Sequence, residues 1–243
     1  MDWEPTRRSL HGVAELLLAG PQHRATGRID LSVADGGFAT AVAPALRVRG
    51  AELLTESSRV RLGGRTYADV AAEAGIEAGA PADVYAGGPG LRPDETIVFA
   101  AGALEALLQA FADGDRALRD FAPGSVPILW PEHFDVAITL DDVNYGVSPG
   151  DGHLREPYAY VGPFVPRTGD FWNAPFGAAR TVADLGDAPA ITAFFEQGRA
   201  ALGVTADVLA VDDLTLHPAA HDEAVGLRDS SMGRSPRRSG RSR

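Results

Sequence analysis

Hydrophobic and polar residues alternate with a period of two along residues 130–160, which is the pattern of a half-buried antiparallel sheet. The apolar positions lie on either side of the pair Asp141-Asp142, and aspartate favours tight reversals of the chain. A loop of two or four residues at this pair gives the same parity, so the pattern fixes the register. We therefore predict a hairpin in which Ala137 lies opposite Gly146.

The same register collects polar side chains on the second face of the sheet. The sequence from Ser148 to Asp151 has proline and glycine where a type II turn requires them. It predicts that a third strand, residues 156–161, returns beside the hairpin. The residues predicted to share the polar face are His133, Asp135, Thr139, Asn144, Ser148, Glu156, Tyr158 and Tyr160.

We interpret this face as a candidate small-molecule site, because the small pair Ala137/Gly146 leaves room for a ligand above the sheet. His133 is the candidate general base or ligand contact, and Asp135 and Glu156 are carboxylates that can orient it or share a proton. The ligand-binding candidates are Asn144, Ser148, Asp151, Tyr158, Tyr160, Arg167 and Trp172. The alternative is a polar face that is turned to water, as in many antiparallel sheets.

Two other functions stay open. His133-x-Asp135 is the sequence half of a two-histidine, one-carboxylate metal site, and its third ligand would be His153 or His217. A non-enzymatic protein would instead expose the aromatic residues after position 160 as a homodimer or other interaction surface. Neither a reaction nor a cofactor follows from these residues, so enzymatic activity is left open.

The N-terminal half predicts helices packed beside a meander. Apolar spacing indicates a helix over 7–19, with an apolar run that Glu15 interrupts and with Gly20-Pro21 as its end. A later helix over 100–121 has a predicted break at Gly114. The meander strands are 28–33, 38–42, 46–49 and 59–62, and a Thr66-capped helix and a connector over 77–95 follow them. The outward arginines of the last two strands either bind an acidic group or protect a sheet edge.

The C-terminal part predicts an aromatic loop over 161–180 and a last helix capped by Asp187. Together these elements predict an α+β fold, mainly antiparallel, with packed helices. We expect one domain over 1–203, or two subdomains that meet near residue 123. Residues 204–243 are expected to form a weakly structured, basic and disordered tail.

Composition narrows the chemistry. The 243-residue chain has no cysteine and no lysine, which excludes thiolate chemistry, disulfides and Schiff-base lysines. Its net charge of −11 should repel nucleic acid, although six arginines lie from Arg228 onward. There is no apolar run long enough to span a membrane, so we expect no membrane partner and a cytoplasmic location.

Three ordered motifs carry a resemblance. Trp-Pro-Glu-His-Phe-Asp-Val-Ala begins at Trp130, Asn-Tyr-Gly-Val-Ser-Pro-Gly-Asp at Asn144 and Glu-Pro-Tyr-Ala-Tyr-Val at Glu156. They resemble the core of a family of conserved bacterial proteins of unassigned function, over about residues 125–203. The resemblance implies a common core that continues into an aromatic loop and a closing helix. It implies no reaction, substrate or cofactor.

Overall fold

The computed structural model describes residues 1–85 and 87–203. The strands are β1 (Leu31–Ala34), β2 (Gly37–Thr40), β3 (Arg47–Arg49), β4 (Glu52–Leu54), β5 (Arg59–Arg61), β6 (Ile128–Trp130), β7 (Asp135–Leu140), β8 (Val143–Ser148), β9 (Tyr158–Pro163) and β10 (Ala178–Thr181). The helices are α1 (Glu4–Gly12), a π-helical segment (Val13–Ala19), α2 (Gly20–Thr26), α3 (Tyr67–Ala74), α4 (Ala103–Phe121), α5 (Val182–Leu185) and α6 (Ala188–Ala201).

All ten described strands belong to one sheet, and every neighbouring pair is antiparallel. Their order is β10-β9-β8-β7-β6-β1-β2-β3-β4-β5, so the sheet continues from the meander into the C-terminal strands through β1 and β6. The pairing of Leu31 with Leu129 makes this junction. The predicted α+β fold with a mainly antiparallel sheet is confirmed.

One face of the sheet packs against the helices. The ring of Phe134 contacts Phe38 on β2 and Phe111 on α4, each edge to face, with ring centroids 5.7 and 5.1 Å away. Phe121 on α4 and Phe195 on α6 pack around Tyr145 of β8, Phe121 in a tilted contact and Phe195 edge to face. The apolar half of the alternating pattern therefore lies in the core beneath α4 and α6.

The predicted break at Gly114 is wrong, because α4 continues through this residue. Gly114 is buried, and a Cβ atom there would lie 2.7 Å from Cγ2 of Val147. The glycine lets the helix backbone approach the sheet closely. Gly198 does the same for α6, where a Cβ atom would lie 2.8 Å from Cγ2 of Val161.

The N-terminal helix also continues past its predicted end. Gly20 and Pro21 form the first turn of α2, where the missing N–H of proline costs little, and Gly27 ends the helix with a φ of 77°. The π-helical segment between α1 and α2 leaves the carbonyl of Leu16 to accept a hydrogen bond of 3.0 Å from the N–H of Gly79. The connector is thereby attached to the helix.

Several boundaries differ from the sequence prediction. β4 was not predicted, because its three residues follow β3 after a two-residue turn. β10 and α5 lie at the end of the predicted aromatic loop and were also missed. The caps were predicted correctly: Thr66 accepts from the N–H of Asp69, and Asp187 accepts from the N–H of Ala190. The predicted tail lies outside the described residues.

No helix in the described part of the chain is long and apolar enough to cross a membrane.

Candidate functional site

The polar face of β7, β8 and β9 forms as the alternation predicts. Ala137 pairs with Gly146 and Thr139 with Asn144, and the register continues into β9, where Gly146 pairs with Tyr160. Because side chains alternate across a strand, these partners lie on the face opposite the helices. The C-terminal end of β8 and the start of β9 add Ser148 and Tyr158, which also form a pair.

Asp135 and Tyr160 form the central polar contact of this face. The hydroxyl of Tyr160 donates a hydrogen bond to Oδ2 of Asp135. Asp135 is buried, with only 8% of the residue exposed. Burial, and then the charge of Asp135, raise the pKa of the Tyr160 hydroxyl well above its ordinary value of 10.0. Tyr160 therefore keeps its proton and acts as a donor at neutral pH.

The space above Gly146 is occupied by this tyrosine. A Cβ atom on Gly146 would lie 2.6 Å from the hydroxyl oxygen of Tyr160 and 2.7 Å from the carbonyl oxygen of Val136. The small pair was predicted to leave room for a ligand, and over Gly146 this interpretation is wrong. The small residue accommodates the tyrosine ring that reaches Asp135.

Asp151 and Tyr158 fasten the loop between β8 and β9. Oδ1 of Asp151 accepts from the N–H groups of His153 and Leu154, at 2.7 and 3.0 Å, and Oδ2 accepts from the Tyr158 hydroxyl at 2.5 Å. Burial is the main reason why the pKa of Tyr158 is raised. Gly150 has a φ of 100°, as the predicted turn requires at its third position.

Phe176 closes one side of this polar face. Its ring centroid lies 6.2 Å from that of Tyr158, 6.4 Å from that of Tyr160 and 5.4 Å from that of His153. A cleft of about 420 Å³ adjoins these rings. Its lining residues are His153, Leu154, Asn173, Ala179, Arg180, Thr181 and Asp184.

The cleft continues the polar face, because two of its lining residues on β10 pair across the sheet with tyrosines of that face. Ala179 pairs with Tyr160, and Thr181 pairs with Tyr158. The Thr181 hydroxyl caps α5 by accepting a hydrogen bond from the N–H of Asp184. The side-chain amide of Asn173 donates to the carbonyl of Ala179 and accepts from its N–H. These hydrogen bonds hold the cleft walls in place.

His133 lies in the turn that connects β6 to β7. Its side chain is 46% exposed, and its Nε2 atom is 3.9 Å from Oε2 of the neighbouring Glu132. Phe134 follows with a φ of 56°, so regular strand alternation begins only at Asp135. Glu156 is half-buried and precedes β9, which begins at Tyr158 and not at Glu156 as predicted. His133 is therefore a residue of the turn, and no functional role follows from its position.

The remaining predicted ligand-binding residues lie in different surroundings. The Thr139 hydroxyl donates to Oδ1 of Asn144 at 2.7 Å, at the hairpin end of the face. Arg167 is exposed in the loop after β9. Phe171 packs on Phe194 of α6, and Trp172 packs on Phe171 with centroids 4.9 Å apart, so this part of the loop extends the core on the helix side.

The metal alternative gains no support from the described residues. Within 1–85 and 87–203, no group of three or more His, Asp or Glu side chains is arranged to hold a metal ion. The predicted ligands His133, Asp135 and His153 therefore do not form such a group. The other predicted ligand, His217, lies outside the described residues.

The sequence interpretation missed Asn173, Thr181 and Asp184. Thr181 followed three residues later by Asp184 is the spacing of a capped helix start, which could have located α5 and with it the wall of the cleft. Arg180 also lines the cleft. In the structure its guanidinium carbon lies 5.5 Å from the ring centroid of Phe194.

Comparison of the chain with family models, with characterised proteins and with solved structures found no match. The resemblance described for residues 125–203 therefore stays a prediction.

Proposed function

We propose that this protein binds a small polar molecule in the cleft beside Phe176, on the face of the sheet that carries Asp135 and Tyr160. The observation that carries the proposal is the hydrogen bond from the half-buried Tyr160 to the buried Asp135, because Tyr160 pairs with the cleft residue Ala179 across the sheet. Burying a carboxylate costs free energy that its hydrogen bonds must offset, and groups with a strongly shifted pKa, such as Tyr160, concentrate at functional sites.

The cleft offers both donors and acceptors to a ligand. Asp184 contributes a carboxylate, and His153 contributes an imidazole whose ring packs against Phe176. Ala179 and Leu154 supply apolar wall. This combination of a shaped apolar surface with a few polar groups is typical of small-molecule sites. The proposed ligand is therefore a polar molecule that carries a cationic or donor group for Asp184.

Ligand-observed saturation-transfer NMR tests the proposal, with mixtures of amino acids, polyamines and nucleosides as probes. We expect a transfer signal with the wild-type protein that Asp184→Asn and His153→Gln weaken. Glu56→Gln is the matched control, because Glu56 lines a separate cleft of about 550 Å³. The absence of a signal from every mixture, or equal losses in the control, would contradict the proposal.

A second candidate function is association through the loop after β9. Phe164 and Val165 are 54% and 64% exposed, which is unusual for adjacent large apolar residues. Homodimerisation through this pair is tested by sedimentation velocity of the wild type and of a Phe164→Ser, Val165→Ser double variant. Val126→Ser is the control, because Val126 is an exposed valine that has no exposed apolar neighbour in sequence. A wild type that is monomeric at all concentrations contradicts this function.

The cytoplasmic location that the composition suggested also stays a prediction, and cell fractionation tests it.

A further inference from the structure

Four arginines lie together on the outer face of the meander. Arg47 and Arg49 flank Val48 on β3, and Arg59 and Arg61 flank Val60 on β5. Both valines are fully buried on the helix side, so alternation turns all four arginines to the opposite face. We call Arg47, Arg49, Arg59 and Arg61 the arginine face.

The strand register arranges these arginines as a grid. Arg49 and Arg61 both pair with Glu52, and Arg47 and Arg59 both pair with Leu54. Strands lie about 4.8 Å apart and side chains repeat along one face about every 7 Å. The four arginine positions therefore mark the corners of a patch of about 7 by 10 Å.

Protection of a sheet edge does not explain this grid. β5 is the last strand of the sheet, so Arg59 and Arg61 can serve that purpose. β3 lies between β2 and β4 and has no free edge, yet it carries Arg47 and Arg49. Both arginines contact Asp35 in the turn between β1 and β2, where Arg47 also donates a hydrogen bond of 2.6 Å to the Asp35 carbonyl, and these contacts account for part of the pair.

The acidic neighbours of the arginine face neutralise only part of its charge. Arg49 and Arg47 lie 3.4 and 3.9 Å from the carboxylate of Asp35, and Arg59 lies 3.5 Å from that of Glu52. Asp35 is 81% exposed, and ion pairs in such surroundings contribute little. Within the described residues Arg61 has no ion pair, and two carboxylates face four guanidinium groups.

We propose that the arginine face binds an extended acidic peptide segment of a partner protein, with an acidic residue at every second position. In an extended peptide such residues repeat about every 7 Å on one side, which matches the spacing of two arginines along one strand. Guanidinium groups suit carboxylates because they can donate two parallel hydrogen bonds. Leu54, at the centre of one row, supplies an apolar contact for the peptide.

Charge and composition favour a peptide over nucleic acid. The chain has a net charge of −11, which opposes the approach of a long polyanion. Single-stranded nucleic acids also bind by stacking their bases on aromatic rings. The only aromatic residue of strands β1 to β5 is Phe38, which is buried on the other face.

Fluorescence anisotropy with a labelled peptide of four Ser-Glu repeats tests the proposal on the full chain. We expect saturable binding at low salt that weakens at 150 mM NaCl. Arg49→Gln with Arg61→Gln should weaken binding about tenfold or more. The control with the same change of charge is Arg92→Gln with Arg119→Gln, which alters exposed arginines of the connector and of α4 and should change binding less than about twofold.

A gain in affinity provides a second readout that misfolding cannot imitate. Glu52→Gln removes the carboxylate that competes for Arg59, so it should strengthen peptide binding. The proposal is overturned if the peptide does not bind at low salt. It is also overturned if the Arg92/Arg119 control variant loses as much affinity as the Arg49/Arg61 variant. Tighter binding of an octauridylate RNA than of the peptide would also overturn it and assign the face to nucleic acid.

Discussion

The hydroxyl of Tyr85, in the connector, donates a hydrogen bond of 3.2 Å to Oε1 of Glu15, a residue of the π-helical segment that is only 4% exposed. Gly88 packs closely against the same carboxyl group. A Cβ atom on this residue would lie only 2.3 Å from Oε1 of Glu15. Burial raises the pKa of Glu15, and the hydrogen bond from Tyr85 opposes this only in part.

This contact predicts a pH-dependent stability. The folded protein holds the Glu15 proton more tightly than the unfolded chain, so stability is lost as pH rises from the ordinary pKa of 4.5 through the raised folded value. Glu15→Gln, which is neutral at every pH, should remove this loss and be more stable than the wild type above that range. Urea unfolding between pH 4.5 and pH 8 measures the effect. A constant difference between the two proteins at every pH would show that Glu15 does not titrate in this window.

The hydrogen bond between Tyr160 and the buried Asp135 predicts a large effect of one hydroxyl. Tyr160→Phe should destabilise the protein by about 1–3 kcal/mol, because it removes a donor from a buried carboxyl group. Tyr158→Phe is the comparison and should cost about 0.5–1.5 kcal/mol, since Asp151 is more exposed and keeps two backbone donors. Urea unfolding at pH 7 measures both. An equal cost at the two positions would contradict the assignment of the central pair.

Gly146 and Gly162 form a matched test of close packing on the polar face. A Cβ atom on Gly146 would meet the Tyr160 hydroxyl and a backbone oxygen, whereas the nearest atom to one on Gly162 is 3.5 Å away. Gly146→Ala should cost about 1–3 kcal/mol through overpacking. Gly162→Ala should be neutral or stabilise by about 0.5 kcal/mol, because it restricts the unfolded chain. Thermal unfolding of both variants gives the result, and similar midpoints would be inconsistent with the ring position.

At Gly114 two effects oppose each other. Alanine would improve helix propensity by about 1 kcal/mol, but its methyl group would collide with Val147 at a cost of about 1–3 kcal/mol. We expect packing to dominate, so Gly114→Ala should lower the unfolding midpoint. Ala106→Gly, at a half-buried position of the same helix, measures the propensity alone. A stabilised Gly114→Ala protein would mean that the helix can move away from the sheet.

The sequence was sufficient for features that depend on local pattern. The register of Thr139 with Asn144 follows from alternation around a short reversal, and the caps at Thr66 and Asp187 follow from residue type and spacing. The register also placed Tyr160 on the same face as Asp135. Their hydrogen bond, however, depends on how close the ring can approach Gly146.

Features that depend on distant parts of the chain could not be predicted in this way. The pairing of Leu31 with Leu129 joins residues almost a hundred positions apart, and no local pattern encodes it. Gly114 was interpreted from its helix propensity, whereas its role is to make space for Val147. Phe171 and Phe176 are close in sequence, but the chain between them passes the edge of the sheet, so they pack in different layers.

The junction between β1 and β6 has a consequence for local unfolding. It contains the single register pair Leu31–Leu129, while β8 and β9 share six pairs. Both leucines are as buried as Val147, so burial alone would give all three amides similar protection from solvent exchange. If the short junction opens on its own, the backbone amides around it should exchange faster than those of β8 in native-state hydrogen exchange. The meander and the C-terminal strands would then behave as two cooperative units within one continuous sheet.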